Sequence, residues 1–296
     1  MTLNTTPVKT QDWRLDVNFN WARNINLVKS LAVGVNKVFI AGFINGEVDA
    51  VAGQPFGVIY GNGYVRSNPN DMKSPLLIND DPTDAGYGQP IAGSQSVALA
   101  KVDPDWTGSV ITTLTYKNFS FSAQLDVRHG GHLWDGTRGA MDYFGTSQET
   151  ANRGQAVTFK GVAGHLDKNG NIVHFEGGAE VLKPGGVNKV ASTYSESYWQ
   201  NLGSSFIGPA EPSVEGDGFV RIRQASLSYQ LPTSALKSIH MKSMSVSLFS
   251  NNPFLWTKYK GVDPETSLSG PSNGQGLDYF NNPGTKSYGV RLSLGL

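Results

Sequence analysis

The sequence contains no cysteine, few charged residues and no net charge. The absence of cysteine excludes disulfides, thiolate metal sites and a cysteine nucleophile, although it does not determine the compartment. Charged residues make up 16% of the chain, against about 25% in a typical soluble domain. Basic and acidic residues balance at 24 each. Because no basic cluster interleaves with aromatic residues, we expect no nucleic-acid partner.

Long hydrophobic runs are also missing from the chain. No stretch approaches the roughly 18 apolar residues that a transmembrane helix needs, so membrane residence would have to come from strands. The segment Met1 to Thr10 has neither the basic stretch nor the apolar run of a secretory signal. For an outer-membrane protein, we therefore expect either that a secretory signal has been removed or that the chain is part of a longer polypeptide.

What the sequence does contain is apolar and polar residues in strict alternation. The segment Tyr288 to Leu296 alternates in this way up to its last residue, which predicts a strand with one apolar face. The segment Trp13 to Trp21 does the same. At a rise of about 3.3 Å per residue and a tilt of about 40°, its two tryptophans would lie about 20 Å apart along a membrane normal, as two aromatic girdles do.

The polar positions of these strands predict the wall of a water-filled lumen. In the strand that begins at Phe219, the apolar row passes from Val220 and Ile222 to Ala225, which predicts a β-bulge near Arg223 or Gln224. Without the bulge, two arginines would face lipid at a cost of about 2 to 4 kcal/mol each near the midplane. The predicted lumen-facing residues are Arg14, Asp16, Asn18, Gln124, Asp126, Arg128, Arg221 and Arg223.

The connections between strands are alternately short and long. Only Lys117 and Asn118 separate two alternating segments, so these form a tight hairpin. Outer-membrane barrels have short periplasmic turns and long extracellular loops, and this pattern places the end of the chain on the periplasmic side. The six predicted transmembrane strands lie near 11–21, 106–117, 119–129, 219–231, 241–251 and 286–296.

Six strands cannot close a barrel in a bilayer, because an open edge leaves backbone groups unpaired in hydrocarbon. Weaker strand candidates at Val38 to Phe43 and Phe56 to Tyr60 keep open an independent eight-stranded barrel. A fragment of a larger barrel, an inactive fragment, and a soluble lectin-like β-sandwich are the other possibilities. The sandwich predicts shorter strands and closely spaced turns.

Several segments resemble SusC/RagA-type TonB-dependent transporters of the outer membrane. The segment from Asp217 to Pro232 is similar to the penultimate hairpin of that family, and the segment from Asn251 to Glu265 is similar to the stretch after that hairpin. Upstream signatures occur in the family's order and extend the resemblance over nearly the whole chain. They are 53–61, 104–108, 116–120 and 134–138.

The resemblance implies an all-β fold, an antiparallel transmembrane β-barrel of about 22 strands. This chain would supply about the last six strands, with long extracellular loops, while the plug domain and the earlier strands are absent from it. A SusD-like surface lipoprotein would act as a lid, and TonB, acting through the missing N-terminal part, would drive import of oligosaccharides or peptides. The expected location is the outer membrane.

Candidate chemistry within the chain is weak. His129 and His132 are close in sequence, but loop hydrogen bonding accounts for them better than a metal does. Asp80, Asp81 and Asp84 are more simply solvated loop carboxylates. No nucleophile, base and orienting acid occur at a convincing spacing. We therefore expect neither an enzyme nor a cofactor or metal site.

Binding is the better hypothesis, and the long connection 130–218 is its expected location. Aromatic faces beside polar side chains suit a sugar ring and its hydroxyls. The alternative is that these aromatics pack the loop on itself or against a lid protein. The candidate ligand-binding residues are Trp134, Asp135, Arg138, Asp142, Tyr143, Tyr198 and Trp199.

Overall fold

The computed structural model describes residues 1–236, 241–270 and 272–295, and most of its regular structure is β-strand. The mainly β fold predicted from the sequence is confirmed. The helices are α1 (Gly136–Tyr143), α2 (Glu196–Asn201), α3 (Thr233–Leu236) and two 3-10 turns, Gln148–Asn152 and Glu211–Ser213. The strands are β1 (Thr2–Lys9), β2 (Trp13–Ala22), β3 (Lys37–Phe43), β4 (Gly46–Val51), β5 (Val58–Tyr64), β6 (Leu77–Ile78), β7 (Ala92–Lys101), β8 (Trp106–Tyr116), β9 (Phe119–His129), β10 (His132–Asp135), β11 (Ala156–Val157), β12 (Val162–Ala163), β13 (His165–Leu166), β14 (Ile172–Glu176), β15 (Ala179–Val181), β16 (Ser192–Thr193), β17 (Val214–Gly216), β18 (Phe219–Gln230), β19 (Ser243–Thr257), β20 (Leu277–Asp278) and β21 (Ser287–Gly295).

Seven long strands form one antiparallel sheet, the main sheet, in the order β1-β2-β8-β9-β18-β19-β21. Its strands are joined alternately by short turns at one end, the turn end, and by long connections at the other, the loop end. The turn between β8 and β9 is the predicted two-residue hairpin, with Tyr116 paired to Phe119. Lys117 adopts a positive φ of 50°, which tight hairpin turns require.

The pairing register places an apolar row of six strands on the same face of the main sheet: β2, β8, β9, β18, β19 and β21. Many of these side chains are exposed to a degree unusual for large hydrophobic groups: Leu248 and Phe254 are each 56% exposed, and Leu292 and Leu294 each 54%. No second sheet in the described part of the chain covers this face. In a β-sandwich the apolar faces of two sheets pack together. The described residues do not have that arrangement, so they do not form the β-sandwich considered from the sequence.

The main sheet has one strand more than the sequence predicted. Strand β1 pairs with β2 and was missed, because the segment Thr2 to Lys9 shows no clear alternation. Strand β19 continues to Thr257, past the predicted end near residue 251. The predicted last strand corresponds to β21, and its final residue, Leu296, lies outside the described residues.

The two edges of the main sheet cannot pair with each other in antiparallel fashion. All six neighbouring pairs are antiparallel, so the edge strands β1 and β21 run in the same direction. An antiparallel barrel needs an even number of strands. The two weaker strand candidates do not supply the missing one, because they belong to a separate four-stranded sheet, β3-β4-β5-β7. The described residues therefore do not form the eight-stranded barrel.

The long connections fold together at the loop end of the main sheet. The four-stranded sheet packs near a three-stranded sheet, β17-β10-β20, around a shared hydrophobic core. That core consists of Val48, Ile59, Val102, Trp134, Ala210 and Leu277. The Asn169-Gly170 turn joins the antiparallel strands β13 and β14 in a hairpin. No helix within the described ranges has the length and hydropathy needed to cross a membrane.

Leu277 offers a test of this loop core, since its side chain is fully buried. We expect Leu277→Ala to destabilise the packed loops by about 2 to 5 kcal/mol, because it removes buried methyl groups and leaves a cavity. The control Leu182→Ala changes a side chain that is 72% exposed, so it should have little effect. Limited proteolysis of the full-length protein, with cleavage sites mapped, provides the measurement. Equal cleavage of both variants would contradict the assignment of this core.

Candidate functional site

The face opposite the apolar one carries a hydrogen-bonded network of polar side chains. Arg14 donates from Nε to Asp16 at 2.7 Å, and the Asn20 amide donates to Asn18 at 2.8 Å. Farther along the sheet, the Ser109 hydroxyl donates to Asp126 at 2.8 Å, and the Gln124 amide donates to the same carboxylate at 2.9 Å. The predicted lumen-facing residues of β2 and β9 therefore share one face.

The predicted bulge is confirmed in β18. The register of β18 shifts between Ile222 and Gln224 against both neighbouring strands. Against β9, Arg223 is the inserted residue, because its neighbours Ile222 and Gln224 pair with the consecutive residues Leu125 and Gln124. Against β19 the extra residue is on β19, where Asn252 and Pro253 lie opposite Arg223. Arg223 donates from Nε to Asp126 on the adjacent strand at 2.9 Å. The bulge thus keeps this arginine on the polar face while the apolar row continues on the other.

Two arginines of β18 hold the connection 258–286 against the polar face. Arg221 is only 4% exposed, and it donates to Asp263 at 2.6 Å. Its Nε lies 3.1 Å from Glu265. Arg223 forms a bidentate ion pair with the same glutamate, in which its two terminal nitrogens donate to the two carboxylate oxygens at 2.9 and 2.7 Å. This geometry favours arginine over lysine. These ion pairs fold part of the connection back over the sheet.

A second buried ion pair joins β9 to the connection 130–218. Arg128 lies 2.7 Å from Asp217, which is 1% exposed. Neither carboxylate oxygen of Asp217 has a partner of good hydrogen-bond geometry among the described residues. Burial raises the pKa of Asp217 to about 6, and the Arg128 guanidinium partly opposes this rise.

These charged groups line two cavities on the polar face, which we call the polar-face cavities. The first has a volume of about 530 Å³ and is lined in part by Asn20, Asp126, Arg223 and Glu265. The second, about 430 Å³, shares Glu265 with the first, and its wall includes Asp217, Thr266, Ser267 and Gln275. Both offer charges of each sign together with hydroxyl or amide groups. Such walls suit a polar ligand of small size or one segment of a longer ligand.

Arg138 is the centre of an ionic cluster within the loops. It lies 2.8 Å from Glu215, 3.3 Å from Glu149 and 3.4 Å from Asp142. Asp135 caps helix α1 by accepting a hydrogen bond from the Arg138 backbone N–H at 2.8 Å. The cluster therefore ties α1 to the 3-10 turn at Gln148–Asn152 and to β17.

Most of the predicted ligand-binding residues lie inside the packed loops. Asp135 and Asp142 are fully buried, and Trp134, Tyr198 and Trp199 are each less than 10% exposed. Trp134 belongs to the loop core. Tyr198 and Trp199 pack with Phe159 and Tyr194. Arg138 and Tyr143 are partly exposed. This burial agrees with the loop-packing alternative, and ligand contact by these residues stays a prediction.

The sequence analysis missed the acidic partners of the arginines. Asp217, Asp263 and Glu265 are far in the sequence from the arginines that they pair with, so no local pattern singles them out. Asp278, which was also missed, forms no ion pair with an arginine among the described residues. Asp278 is fully buried and accepts a hydrogen bond from the Tyr259 hydroxyl at 2.8 Å, and burial raises its pKa. The available signal was indirect: an arginine inside a strand needs a carboxylate partner.

The histidine and aspartate candidates do not converge. The described residues contain no group of three or more histidine, aspartate or glutamate side chains that would hold a metal ion. His129 stacks on Trp106, and His132 lies 3.3 Å from the Lys101 carbonyl oxygen. Asp80 contacts His165 at 2.6 Å. His129 and His132 thus form loop contacts, as the simpler interpretation of the sequence expects. For Asp80 the expectation of a solvated carboxylate is wrong, because its side chain is only 10% exposed and contacts His165.

Comparison with known proteins covers the whole chain. No family model matches it. TonB-dependent receptor P26 of Formosa agariphila is 21% identical over 99% of this chain and 28% of its own length, and receptor P3 of the same organism is 24% identical over the same shares. The RagAB peptide transporter superposes with a TM-score of 0.59 at 19% identity, covering 100% of this chain and 28% of that one. In its closed-closed state the TM-score is 0.58 at 20% identity, over 29% of that chain.

The resemblance to SusC/RagA-type TonB-dependent transporters is confirmed. The chain spans less than a third of the length of the relatives it matches. The similarity in fold to RagAB extends over the main sheet and its long loops.

Arg221 provides a test of how the connection 258–286 is held. We expect Arg221→Gln to release this connection, because it leaves Asp263 without its buried partner, at a cost of about 3 to 5 kcal/mol. Hydrogen exchange of the full-length protein should then rise in residues 260–268 while the main sheet stays protected. The control Arg291→Gln changes an arginine on the same face that lies over Phe249. Unchanged exchange in Arg221→Gln would show that these ion pairs do not anchor the connection.

Asp135 predicts a pH dependence of loop stability. Burial, with a further contribution from Asp278, raises its pKa from 3.8 to about 6. The folded loops thus bind this proton more tightly than the unfolded chain. The stabilisation is complete below about pH 4 and is lost as the pH rises through about 6. Asp135→Asn still offers a capping oxygen, so it should flatten the fall in protease resistance between pH 4 and 7. The exposed control Asp71→Asn should keep the wild-type slope, and an equally steep slope in Asp135→Asn would contradict the assignment.

Proposed function

We propose that this chain forms the C-terminal barrel region of an outer-membrane TonB-dependent transporter. It supplies seven transmembrane strands, part of the lumen wall and three extracellular loops. The observation that carries the proposal is the main sheet itself, with one continuous apolar face and one continuous polar face. Such a sheet suits lipid on one side and water on the other.

Aromatic side chains at both ends of the apolar face support this proposal. At the turn end, Trp13 packs on Tyr116 with ring centroids 4.3 Å apart, and Phe119 packs on Tyr229 at 4.6 Å. At the loop end, Trp256 stacks on Phe254, and Trp21 is exposed on the same face. Aromatic residues concentrate at the two interfaces of membrane barrels. The short turns would then be periplasmic and the long connections extracellular.

Closure of the barrel requires strands from elsewhere. Because β1 and β21 run in the same direction, an odd number of further strands must complete an antiparallel barrel. A barrel of about 22 strands meets this condition when seven come from this chain. The remaining length of the relatives is ample for those strands and for a plug.

Import is the activity we propose for the complete protein, and peptides are the first substrate class to test. RagAB is described as a peptide transporter, and oligosaccharides are the other class expected from the family resemblance. We propose a SusD-like lipoprotein over the loops and TonB acting through another region as partners. The relatives are named receptors and transporters, which supports a role other than catalysis. The polar-face cavities are the proposed contact region for substrate.

Arginine substitutions on the two faces test the proposal in the full-length transporter. We expect Leu15→Arg and Leu125→Arg to abolish outer-membrane assembly, since a lipid-facing arginine costs about 2 to 4 kcal/mol near the midplane. The matched control Ser122→Arg lies on the polar face, so it should assemble and either keep or alter uptake. Assembly is measured by heat-modifiable gel mobility, and uptake with labelled peptides and oligosaccharides in cells with and without TonB.

Two outcomes would contradict the proposal. Equal tolerance of the three substitutions would remove the assignment of lipid and lumen faces. Assembly of the wild-type protein without any TonB-dependent uptake of either substrate class would retain the barrel and reject the transport activity.

A further inference from the structure

A groove lies at the loop end of the apolar face, between the ends of β9, β18 and β19. We call it the rim groove. It has a volume of about 600 Å³, and its surface is mainly apolar. It is lined by residues 127–132, 216 and 218–220, and 256–258. Its floor includes Val127, Val220 and Trp256, which are neighbours across the three strands.

The rim groove exists because several of the residues that line it are glycines, which have no side chain to fill the space. Four of its residues are glycines, Gly130, Gly131, Gly216 and Gly218. Gly130 and Gly131 have φ values of 73° and 85°, a backbone conformation that favours glycine. At Gly216, an added Cβ would meet only the Gly131 carbonyl oxygen, at 3.9 Å. The space at Gly216 is therefore open and is not occupied by neighbouring side chains.

The rim groove combines this apolar floor with a cation that has no acidic partner. Lys258 is exposed at its edge, and it makes no ion pair with any residue the structure describes. The nearby acids are engaged elsewhere: Asp105 lies 2.5 Å from Lys101, Asp217 lies 2.7 Å from Arg128, and Glu215 lies 2.8 Å from Arg138. His129, also in the groove, stacks on Trp106. The polar edge is thus suited to an anion.

The position of the rim groove indicates which anion. Its floor continues the exposed apolar row of Leu248 and Phe254, and two tryptophans, Trp106 and Trp256, flank it. In a membrane barrel, tryptophans mark the level of the lipid headgroups. A ligand there would place an acyl chain along the apolar face and its anionic group near Lys258.

We propose that the rim groove binds an outer-leaflet phospholipid whose headgroup carries a net negative charge, with an acyl chain over Val127, Val220 and Trp256 and the anionic headgroup beside Lys258. The proposal rests on the transmembrane orientation given under the proposed function. Charge complementarity at Lys258 and continuity with the apolar face select this occupant over a protein partner.

Native mass spectrometry of the full-length transporter in a neutral detergent tests the proposal. The probes are phosphatidylglycerol, zwitterionic phosphatidylcholine and inorganic phosphate. We expect phosphatidylglycerol to bind more tightly than phosphatidylcholine. Lys258→Gln should weaken phosphatidylglycerol binding about fivefold, the effect of one lysine near an anionic lipid surface. The control Lys160→Gln removes an exposed loop charge and should leave binding unchanged.

Filling the groove is an independent test. Gly216→Leu should reduce binding of both lipids by occupying the apolar space. The control Gly186→Leu adds the same side chain at an exposed glycine with nothing within 4 Å of the added Cβ, so it should not affect lipid binding.

Each contrary outcome overturns the proposal. Equal binding of the two lipids, or no effect of Lys258→Gln and Gly216→Leu, would reject the site. Competition by inorganic phosphate at the same concentration as the lipid would assign it to a free anion. All variants are first checked for heat-modifiable assembly: an assembled barrel without lipid preference rejects only this inference, whereas failure of the wild-type protein to assemble rejects the proposed function.

Discussion

Pairing of arginine charges with carboxylates on the polar face is the interaction on which the rest of the structure depends. Arg221 is almost completely buried, and a buried guanidinium without a partner would be strongly destabilising. Its partners, Asp263 and Glu265, belong to the connection 258–286. The sheet and this loop are consequently stable together, and the cavities between them exist because the loop is held there.

The β-bulge at Arg223 makes this pairing compatible with an apolar outer face. A strand with strict alternation would place either the arginines or the later apolar row on the wrong side. One inserted residue in β18 lets Arg221 and Arg223 share the polar face with Asp126, while Leu227 remains on the apolar face. A local backbone irregularity thus reconciles two demands on one strand.

The loops are held by a different balance of forces. Around Arg138, several acids share one strongly engaged cation, and burial raises the pKa of Asp135 and Asp278. Aromatic packing around Trp134, Tyr198 and Trp199 offsets that electrostatic cost. The aromatic residues that the sequence suggests for ligand contact mainly fill the interior of the loops. The accessible polar groups line the polar-face cavities instead.

The sequence by itself determined the strands with clear alternation, the tight turn at Lys117 and Asn118, and the bulge at Arg223, because each depends on residues close together in the chain. It did not reveal β1, whose burial pattern is uniform because it is an edge strand exposed along its whole length. Nor did it separate the main sheet from the sheet that contains Val38 and Val58, since alternation does not specify which strands pair. Only the tertiary structure decided which acids meet Arg128, Arg221 and Arg223, and which aromatics are buried. Those contacts join residues far apart along the chain, and their geometry depends on how the long connections fold over the sheet.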